Sequence, residues 1–255
     1  MQDRVLMEER LDGILRYALA NDDLAGILRT ACEALVEAGL PVWRASLDIP
    51  TLDPNARAMA HKWWSDRPLS IEPLPHGPEQ ESVFRESVIF YVMSRGLETH
   101  RWHLERHEGV EEFALLRELK AQGCTDYVLR LVPFGGDMAV RGVALSLATT
   151  RSGGFTADDL NVADRLVPAL ALGAYRMSLG RTATETLSIY LGPRSAHRVL
   201  GGEIRRGEGE TIAAAILLLD LRGFTALTER EDALRVVGWL NEHFEAIGDV
   251  IAAHG

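Results

Sequence analysis

The residues best suited to chemistry in this sequence are Asp220 and the turn that follows it, Gly223-Phe224-Thr225. An almost continuously apolar stretch, residues 211–219, leads into the aspartate and predicts a strand buried on both faces of a sheet. A carboxylate at the end of such a strand needs a partner, and Mg²⁺ is suitable because it prefers oxygen ligands. The glycine turn would let backbone N–H groups approach phosphate oxygens. The simpler alternative is an aspartate that only caps a strand-to-helix turn.

Several short segments around this turn occur together in one order and spacing. They are Tyr190-Leu-Gly-Pro193, Arg198-Val-Leu-Gly-Gly202, Ile204-Arg-Arg-Gly-Glu208 and Asp220-Leu-Arg-Gly-Phe-Thr-Ala-Leu-Thr228. The set resembles the start of the catalytic domain of bacterial class III nucleotidyl cyclases. That resemblance implies a two-metal adenylate cyclase, which converts ATP to cyclic AMP and pyrophosphate with Mg²⁺ (or Mn²⁺) as cofactor.

The resemblance also implies a role for each residue of the turn. Asp220 would bind both metal ions, and Leu221 would contribute its backbone carbonyl to a metal. Gly223, Phe224 and Thr225 would hold the nucleotide phosphates. Family active sites form between two catalytic domains, so the resemblance implies a homodimer.

Apolar residues recur at steps of three and four between residues 233 and 251, which predicts an amphipathic helix. In the family a hairpin with the second metal aspartate follows, and base-recognising residues come later. Asp249 falls inside the helical pattern, so we do not assign it as that second ligand. We therefore expect an incomplete catalytic domain, residues 207–255, that makes no cyclic nucleotide by itself. The residues that would distinguish an adenylate from a guanylate cyclase would lie beyond Gly255.

Composition narrows the class of protein. The chain has 255 residues, 47% of them hydrophobic, which is enough for two domains. Its formal net charge of −10 argues against binding nucleic acid, which depends on clustered Lys and Arg. No apolar run reaches the length of a membrane span, so we predict a cytoplasmic protein. Cys32 and Cys124 suit a reducing compartment, where each would be a small buried hydrophobe.

Residues 1–155 have the pattern of a small α+β domain. The pattern predicts two opening helices, the second beginning after Asn21-Asp22-Asp23 and ending at Gly39, and strands at 42–49 and 59–64. Prolines 68, 73, 75 and 78 predict an exposed loop, and residues 82–95 and 110–122 predict helices. The clearest hairpin joins residues 127–133 to 140–147.

This succession of helices, antiparallel sheet and closing helix resembles a GAF domain, as does the segment Leu115-Leu-Arg-Glu-Leu-Lys-Ala-Gln-Gly-Cys-Thr-Asp-Tyr127. The resemblances together imply an N-terminal GAF-like antiparallel sheet with flanking helices, a helical connector, and the first β-α unit of a ferredoxin-like cyclase domain. The sequence identifies no ligand for the sensor.

The helical connector is predicted at residues 156–206, with Thr156 as its N-cap and Pro168 expected to kink or split it. Its apolar residues follow coiled-coil steps of three and four: Leu160, Ala163, Val167, Leu170, Ala174 and Met177. One interpretation is a closing helix packed on the sensor's own sheet. The other is a parallel dimer stalk.

Two further groups of residues could bind a ligand. His100, His103 and His107 could meet one metal ion, although the charged residues among them indicate a solvated segment. Trp63 and Trp64 could line a pocket, although such aromatics more often belong to a core. The functional interpretations are thus an adenylate cyclase fragment, a guanylate cyclase fragment, or a non-catalytic GAF-like ligand-binding or dimerisation module.

Overall fold

The computed structural model describes residues 2–51, 56–135, 140–203 and 218–254, with side chains described except at residues 2–8 and 252. The chain divides into two units, Met1–Ile204 and Arg205–Gly255. None of the helices in the described ranges offers an apolar stretch of bilayer-spanning length.

Unit 1 is built on a six-stranded antiparallel sheet with the strand order β3-β2-β1-β6-β5-β4. Its strands are β1 (Arg44–Pro50), β2 (Ala56–Trp64), β3 (Ser70–Pro75), β4 (Thr99–His103), β5 (Asp126–Pro133) and β6 (Gly142–Thr149). Its helices are α1 (Gln2–Ala20), α2 (Leu24–Glu37), α3 (Pro78–Arg85), α4 (Val88–Ser94), α5 (Ala114–Ala121), α6 (Ala157–Leu191) and α7 (Pro193–Leu200). A 3-10 turn, Leu104–Arg106, follows β4.

Each face of the sheet has its own hydrophobic core, because side chains alternate between the two faces along every strand. The first core lies between the sheet and helices α1, α2 and α6. It includes Ile14, Ile27, Leu28, Ala45, Leu47, Leu145, Leu147, Leu166 and Leu170. The second core lies under α4 and α5. It includes Val88, Val92, Trp102, Leu116, Leu119, Tyr127, Leu129, Ala144 and Ala148.

The local patterns of the sequence predict several elements correctly. Both opening helices form, and α2 is followed by Gly39 in a left-handed conformation at φ 85°. The hairpin β5–β6 pairs over its full length, from Asp126 opposite Thr149 to Pro133 opposite Gly142. Strands β1 and β2 also form where the alternation indicates them.

The proline-rich segment that the sequence predicts to be a loop contains an edge strand instead. β3 pairs with β2 and includes Pro73 and Pro75, while Pro78 begins α3. Proline is tolerated at an edge because one side of the strand makes no ladder hydrogen bonds. The loop prediction was therefore wrong for residues 70–75.

Two predicted helices differ in extent from those observed. The helix predicted at 82–95 is broken between α3 and α4, where the Ser87 hydroxyl accepts a hydrogen bond from the backbone N–H of Phe90. A capping serine favours a new helix start over a continuous helix. The helix predicted at 110–122 begins only at Ala114. Strand β4 was not predicted.

Helix α6 begins at a capping box in which the Thr156 hydroxyl accepts from the N–H of Asp159 and the Asp159 carboxylate accepts from the N–H of Thr156. The helix continues through Pro168, so the split that the sequence predicts is not observed. The residues of the coiled-coil pattern are used within unit 1, since Ala163, Leu170 and other members of the pattern belong to the first core. Of the two interpretations, the closing helix packed on its own unit is observed.

Unit 2 contains helices α8 (Phe224–Arg230) and α9 (Ala233–His254), and α9 confirms the predicted amphipathic helix. Most of the strand predicted at 211–219 lies outside the described residues. Its last two residues, Leu218 and Leu219, belong to no strand and are 91% and 56% exposed, so the prediction of a buried strand end was wrong there. The physical reason is that residues 218–254 contain no strand with which this segment could pair.

A buried carboxylate ties the sheet of unit 1 to the start of α6. Asp126 is fully buried and accepts hydrogen bonds from Arg101 Nε at 3.1 Å and Arg101 Nη2 at 2.6 Å. It also accepts from the backbone N–H of Phe155 at 2.8 Å. Gly154 has φ 74° and a Cβ there would lie 2.4 Å from Asp126 Oδ2, so only glycine fits beside the carboxylate.

We expect Arg101→Met to lower the free energy of unfolding by about 3 kcal/mol, because it leaves the Asp126 charge buried with its main partner removed. The matched control is Arg130→Met, which removes the ion pair to the half-exposed Asp164 and should cost less than about 1 kcal/mol. Urea denaturation of the two variants beside the wild type measures both values. Equal losses in the two variants would contradict the special role of Asp126.

Candidate functional site

The second face of the sheet carries a group of polar side chains that we call the sheet-face cluster: Arg44, Ser46, Asp48, Lys62 and Ser146. On β1, Ser46 lies opposite Lys62 of β2 and opposite Ser146 of β6. Directly opposed residues share one face of a sheet.

The position of the cluster follows from the alternation along β1. Ala45, Leu47 and Ile49 belong to the first core. The residues between them, Arg44, Ser46 and Asp48, therefore face the other side of the sheet. The sequence predicts this strand correctly, but its three polar residues were not among the predicted site residues. The strict alternation of polar and apolar residues along the strand was the signal that could have identified them.

Arg44 is a buried cation whose guanidinium is not fully paired. The residue is only 5% exposed, and its Nη1 has no hydrogen-bond partner. Its guanidinium carbon lies 5.8 Å from the centroid of the Trp64 ring, which offers a partial cation-π contact. A buried charge is costly unless it is paired and hydrogen-bonded. Arg44 is thus the candidate binding residue of the cluster.

Asp48 is the carboxylate of the cluster. Burial raises its pKa to about 6, against the hydrogen bond from Ser46 and the positive charges of Arg44 and Lys62, which lower it. The Ser46 hydroxyl donates to Asp48 Oδ2 at 3.0 Å. Because an aspartate with a pKa near 6 titrates close to neutrality, the net charge of the cluster changes over the pH range from 5 to 7.

Lys62 is ion-paired with a residue of the edge strand β3. Its ammonium group forms an ion pair with Glu72, and the Ser70 hydroxyl also donates to Glu72, at 3.2 Å. That ion pair lowers the pKa of Glu72. Lys62 is therefore directly ion-paired within the sheet, whereas Arg44 only interacts at a distance with Asp48 and Glu72 and keeps an unpartnered Nη1.

Both cysteines are buried, as the sequence predicts. Burial raises the pKa of the Cys124 thiol to about 11, and burial also raises the pKa of Cys32. Thiols with raised pKa are inert near neutrality, because the thiolate is the reactive form.

The remaining candidate residues of unit 1 fall in different places. His100 and His103 lie on β4, and the ring of His100 packs 4.3 Å from that of Trp102. Within the described ranges, no three His, Cys, Asp or Glu side chains are arranged to hold a metal ion. Trp63 is part of the first core, and Trp64 lies beside Arg44.

The residues that the cyclase resemblance singles out lie at the start of the described part of unit 2. Asp220 is exposed and belongs to no helix or strand. The Leu221 carbonyl accepts a hydrogen bond from the backbone N–H of Phe224 at 3.2 Å, and Gly223 adopts a left-handed conformation at φ 74°. Phe224 and Thr225 open α8, and Asp249 lies within α9. The structure thus forms a glycine turn after Asp220, and within residues 218–254 no group of three His, Cys, Asp or Glu side chains is arranged to hold a metal ion.

No family model matches the chain, and neither does any curated protein. Solved structures do match. One is the GAF domain of a two-component sensor histidine kinase from Bacillus halodurans, at 14% identity and a TM-score of 0.41, covering 60% of this chain and 96% of that one. Another is the phycoerythrobilin-bound GAF domain of a cyanobacterial phytochrome, at 15% identity and a TM-score of 0.40, covering 71% and 97%.

The VqsR LBD domain from Pseudomonas aeruginosa also matches, at 18% identity and a TM-score of 0.42, covering 67% of this chain and 94% of that one. Unit 1 has a mixed helix and antiparallel-sheet fold that resembles GAF domains. At this level of similarity the matched proteins assign neither a ligand nor an activity to the chain.

We expect Asp48→Asn to stabilise the protein near neutrality and to change little at low pH. The pKa of Asp48 is about 6 in the folded protein and near 3.9 in an unfolded chain, so the folded state binds this proton more tightly. The stabilisation from the protonated carboxyl is complete below about pH 4 and is lost as the pH rises through 6.

Because Asp48 is partly exposed, the gain at pH 7.5 should stay below about 3 kcal/mol. Urea denaturation at pH 4 and pH 7.5 measures this gain in stability. The control is Glu98→Gln, which removes the charge of an exposed carboxylate. A gain of the same size at both pH values would contradict the assigned pKa.

Proposed function

We propose that unit 1 is a GAF-like sensory module that binds a small molecule, and that the ligand presents a carboxylate or phosphate group to Arg44 on the sheet face. The observation that carries this proposal is the buried guanidinium with an unpartnered Nη1. A planar guanidinium matches the two oxygens of a carboxylate or phosphate and holds its charge at every physiological pH.

The surroundings of Arg44 suit a ligand with an anionic end and an apolar or aromatic body. Trp64 offers a ring face at the anionic end, and the aromatic residues Trp102 and Tyr127 belong to the core on the same face of the sheet. Asp48 would repel an anion when ionised, so we expect binding to strengthen as the pH falls through 6.

We expect Arg44→Met to raise the free energy of unfolding of the ligand-free protein at pH 5 by about 1–3 kcal/mol, because Asp48 is then mostly protonated and the substitution removes a buried cation that is not fully paired. The opposite sign is expected for Arg101→Met, because Arg101 Nε and Nη2 both donate to the buried Asp126 carboxylate. Urea denaturation of both variants compares the same Arg-to-Met substitution at a proposed binding residue and at a structural residue. A large destabilisation by Arg44→Met would contradict a binding role for Arg44.

Binding itself can be tested with phenyl phosphate and benzoate, which combine an aromatic body with an oxyanion. We expect either probe to raise the melting temperature of the wild type in a dose-dependent way, and more strongly at pH 5.5 than at pH 7.5. The shift should be absent in Arg44→Met and partly retained in Arg44→Lys. Equal shifts in wild type and Arg44→Met would place the probe elsewhere and reject the proposed site.

A cyclase role for unit 2 is the second candidate, and the left-handed Gly223 at the start of α8 favours it. In this proposal Asp220 and the Leu221 carbonyl would hold Mg²⁺ (or Mn²⁺), and Gly223, Phe224 and Thr225 would contact the phosphates of ATP in a homodimer. The structure supports the binding module better, because Asp220 is exposed and residues 218–254 contain no sheet.

We expect the 255-residue chain to form no cyclic AMP from ATP and Mg²⁺, since catalysis of this type depends on paired metals and positioned charges. Chromatography of the reaction products checks this, with Asp220→Ala as the control. Cyclic AMP formed by the wild type and lost in Asp220→Ala would establish the cyclase role for this chain. Activity that persists in Asp220→Ala would reject the role assigned to that residue.

A further inference from the structure

A pocket of about 450 Å³ lies on the opposite face of the sheet from Arg44. Its walls come from three parts of unit 1 that are distant in sequence. They are the start of α2, the adjoining ends of β1, β2 and β3, and the stretch of α6 from residue 177 to 185. Ile49, Met59 and Met177 line it and pack in the first core, so the sheet itself separates the pocket from the sheet-face cluster. A volume of this size suits a small organic molecule.

The floor and the rim of the pocket differ in character. The buried and half-buried apolar side chains of the lining form the floor: Leu24, Ile49, Met59 and Met177. Carboxylates stand at the rim, namely Asp22, Asp23 and Glu185. A ligand that fills the pocket would therefore place an apolar body inside and a polar group at the opening.

His61 supplies a polar group inside the pocket that lacks a partner. The residue is 6% exposed, lines the pocket, and has no hydrogen-bond partner for its Nδ1. Burial lowers its pKa, so the imidazole is neutral near pH 7. A buried polar atom without a partner is costly, which indicates that a bound group completes its hydrogen bonding.

The charges around the pocket determine whether the bound group is a cation or an anion. Arg181 is the cation of the lining, and its Nε lies 2.6 Å from Glu185 Oε1, so the two compensate each other. Arg176 lies 3.7 Å from Asp22 and offsets its charge, so the carboxylate that leaves the pocket negative is Asp23, whose Oδ2 accepts only a neutral hydrogen bond, from the Tyr17 hydroxyl at 3.1 Å. The start of α2 contributes only about half a positive charge, which offsets part of this. A cation is therefore favoured over an anion.

We infer that this pocket binds a small organic cation, an amine or guanidine attached to an apolar body. The cationic group would lie near Asp22 and Asp23 and within reach of His61, and the apolar body would cover the floor. The ligand would contact both the sheet and the second half of α6, so its binding would restrain that part of the helix. This site is independent of the oxyanion site proposed at Arg44.

The test compares two probes of equal chain length and opposite charge, octylammonium and octanoate, by isothermal titration calorimetry at low ionic strength and below micelle-forming concentrations. We expect saturable binding of one octylammonium per chain and at least about tenfold weaker binding of octanoate. Hydrogen exchange should show slower exchange of α6 residues 177–185 when octylammonium is bound. Binding of neither probe, or equal binding of both, would overturn the inference.

Variants that keep the size of each side chain test where octylammonium binds. The double variant Asp22→Asn, Asp23→Asn should weaken octylammonium binding about tenfold, since each carboxylate contributes a Coulomb attraction of a few fold. Both side chains keep their size, and circular dichroism confirms the fold. Glu33→Gln removes one charge from the exposed side of α2 and should leave binding unchanged, as should Arg44→Met. Unchanged affinity in the double variant would overturn the inference.

Discussion

The buried carboxylate of Asp126 is the contact on which the architecture of unit 1 depends. It joins strand β4, through Arg101, to strand β5 and to the backbone just before α6. Arg101 also donates to the Phe155 carbonyl at 2.6 Å, so the same guanidinium holds both sides of the junction. Since α6 covers the first core, the direction in which it leaves the sheet decides how that core closes. The absence of a Cβ at Gly154 leaves the room that the carboxylate requires.

Two arginines of the same sheet differ in how completely their charges are paired. Arg101 reaches a fully buried carboxylate and a carbonyl, so its charge is compensated within the fold. Arg44, at 5% exposed, is more deeply buried than Arg101 and keeps an unpartnered nitrogen. A fold selected only for stability would replace such a group by an apolar side chain, because an incompletely paired buried charge lowers stability. This incompletely paired guanidinium is the observation behind the ligand site proposed at Arg44.

The elements that sequence analysis predicts correctly are those that depend on neighbouring residues. The Thr156 capping box and the β5–β6 hairpin are both specified within a few residues. Strand β3 was missed because its prolines are compatible with a strand only at an edge, and edge position is a property of the whole sheet. The burial expected for residues 211–219 fails at Leu218 and Leu219 for a similar reason, since an apolar segment is buried only where other elements cover it.

The sequence by itself determined the two opening helices, the β5–β6 hairpin and the capped start of α6, the alternation that places Arg44, Ser46 and Asp48 on one face of β1, and the turn at Gly223. Only the tertiary structure decided that Arg44 and His61 would be buried with an unpartnered nitrogen each. Only the tertiary structure, too, brought residues 22–25 and 177–185 together around one pocket. The physical reason is that periodicity and capping are local, whereas burial and pairing depend on which distant segments pack together.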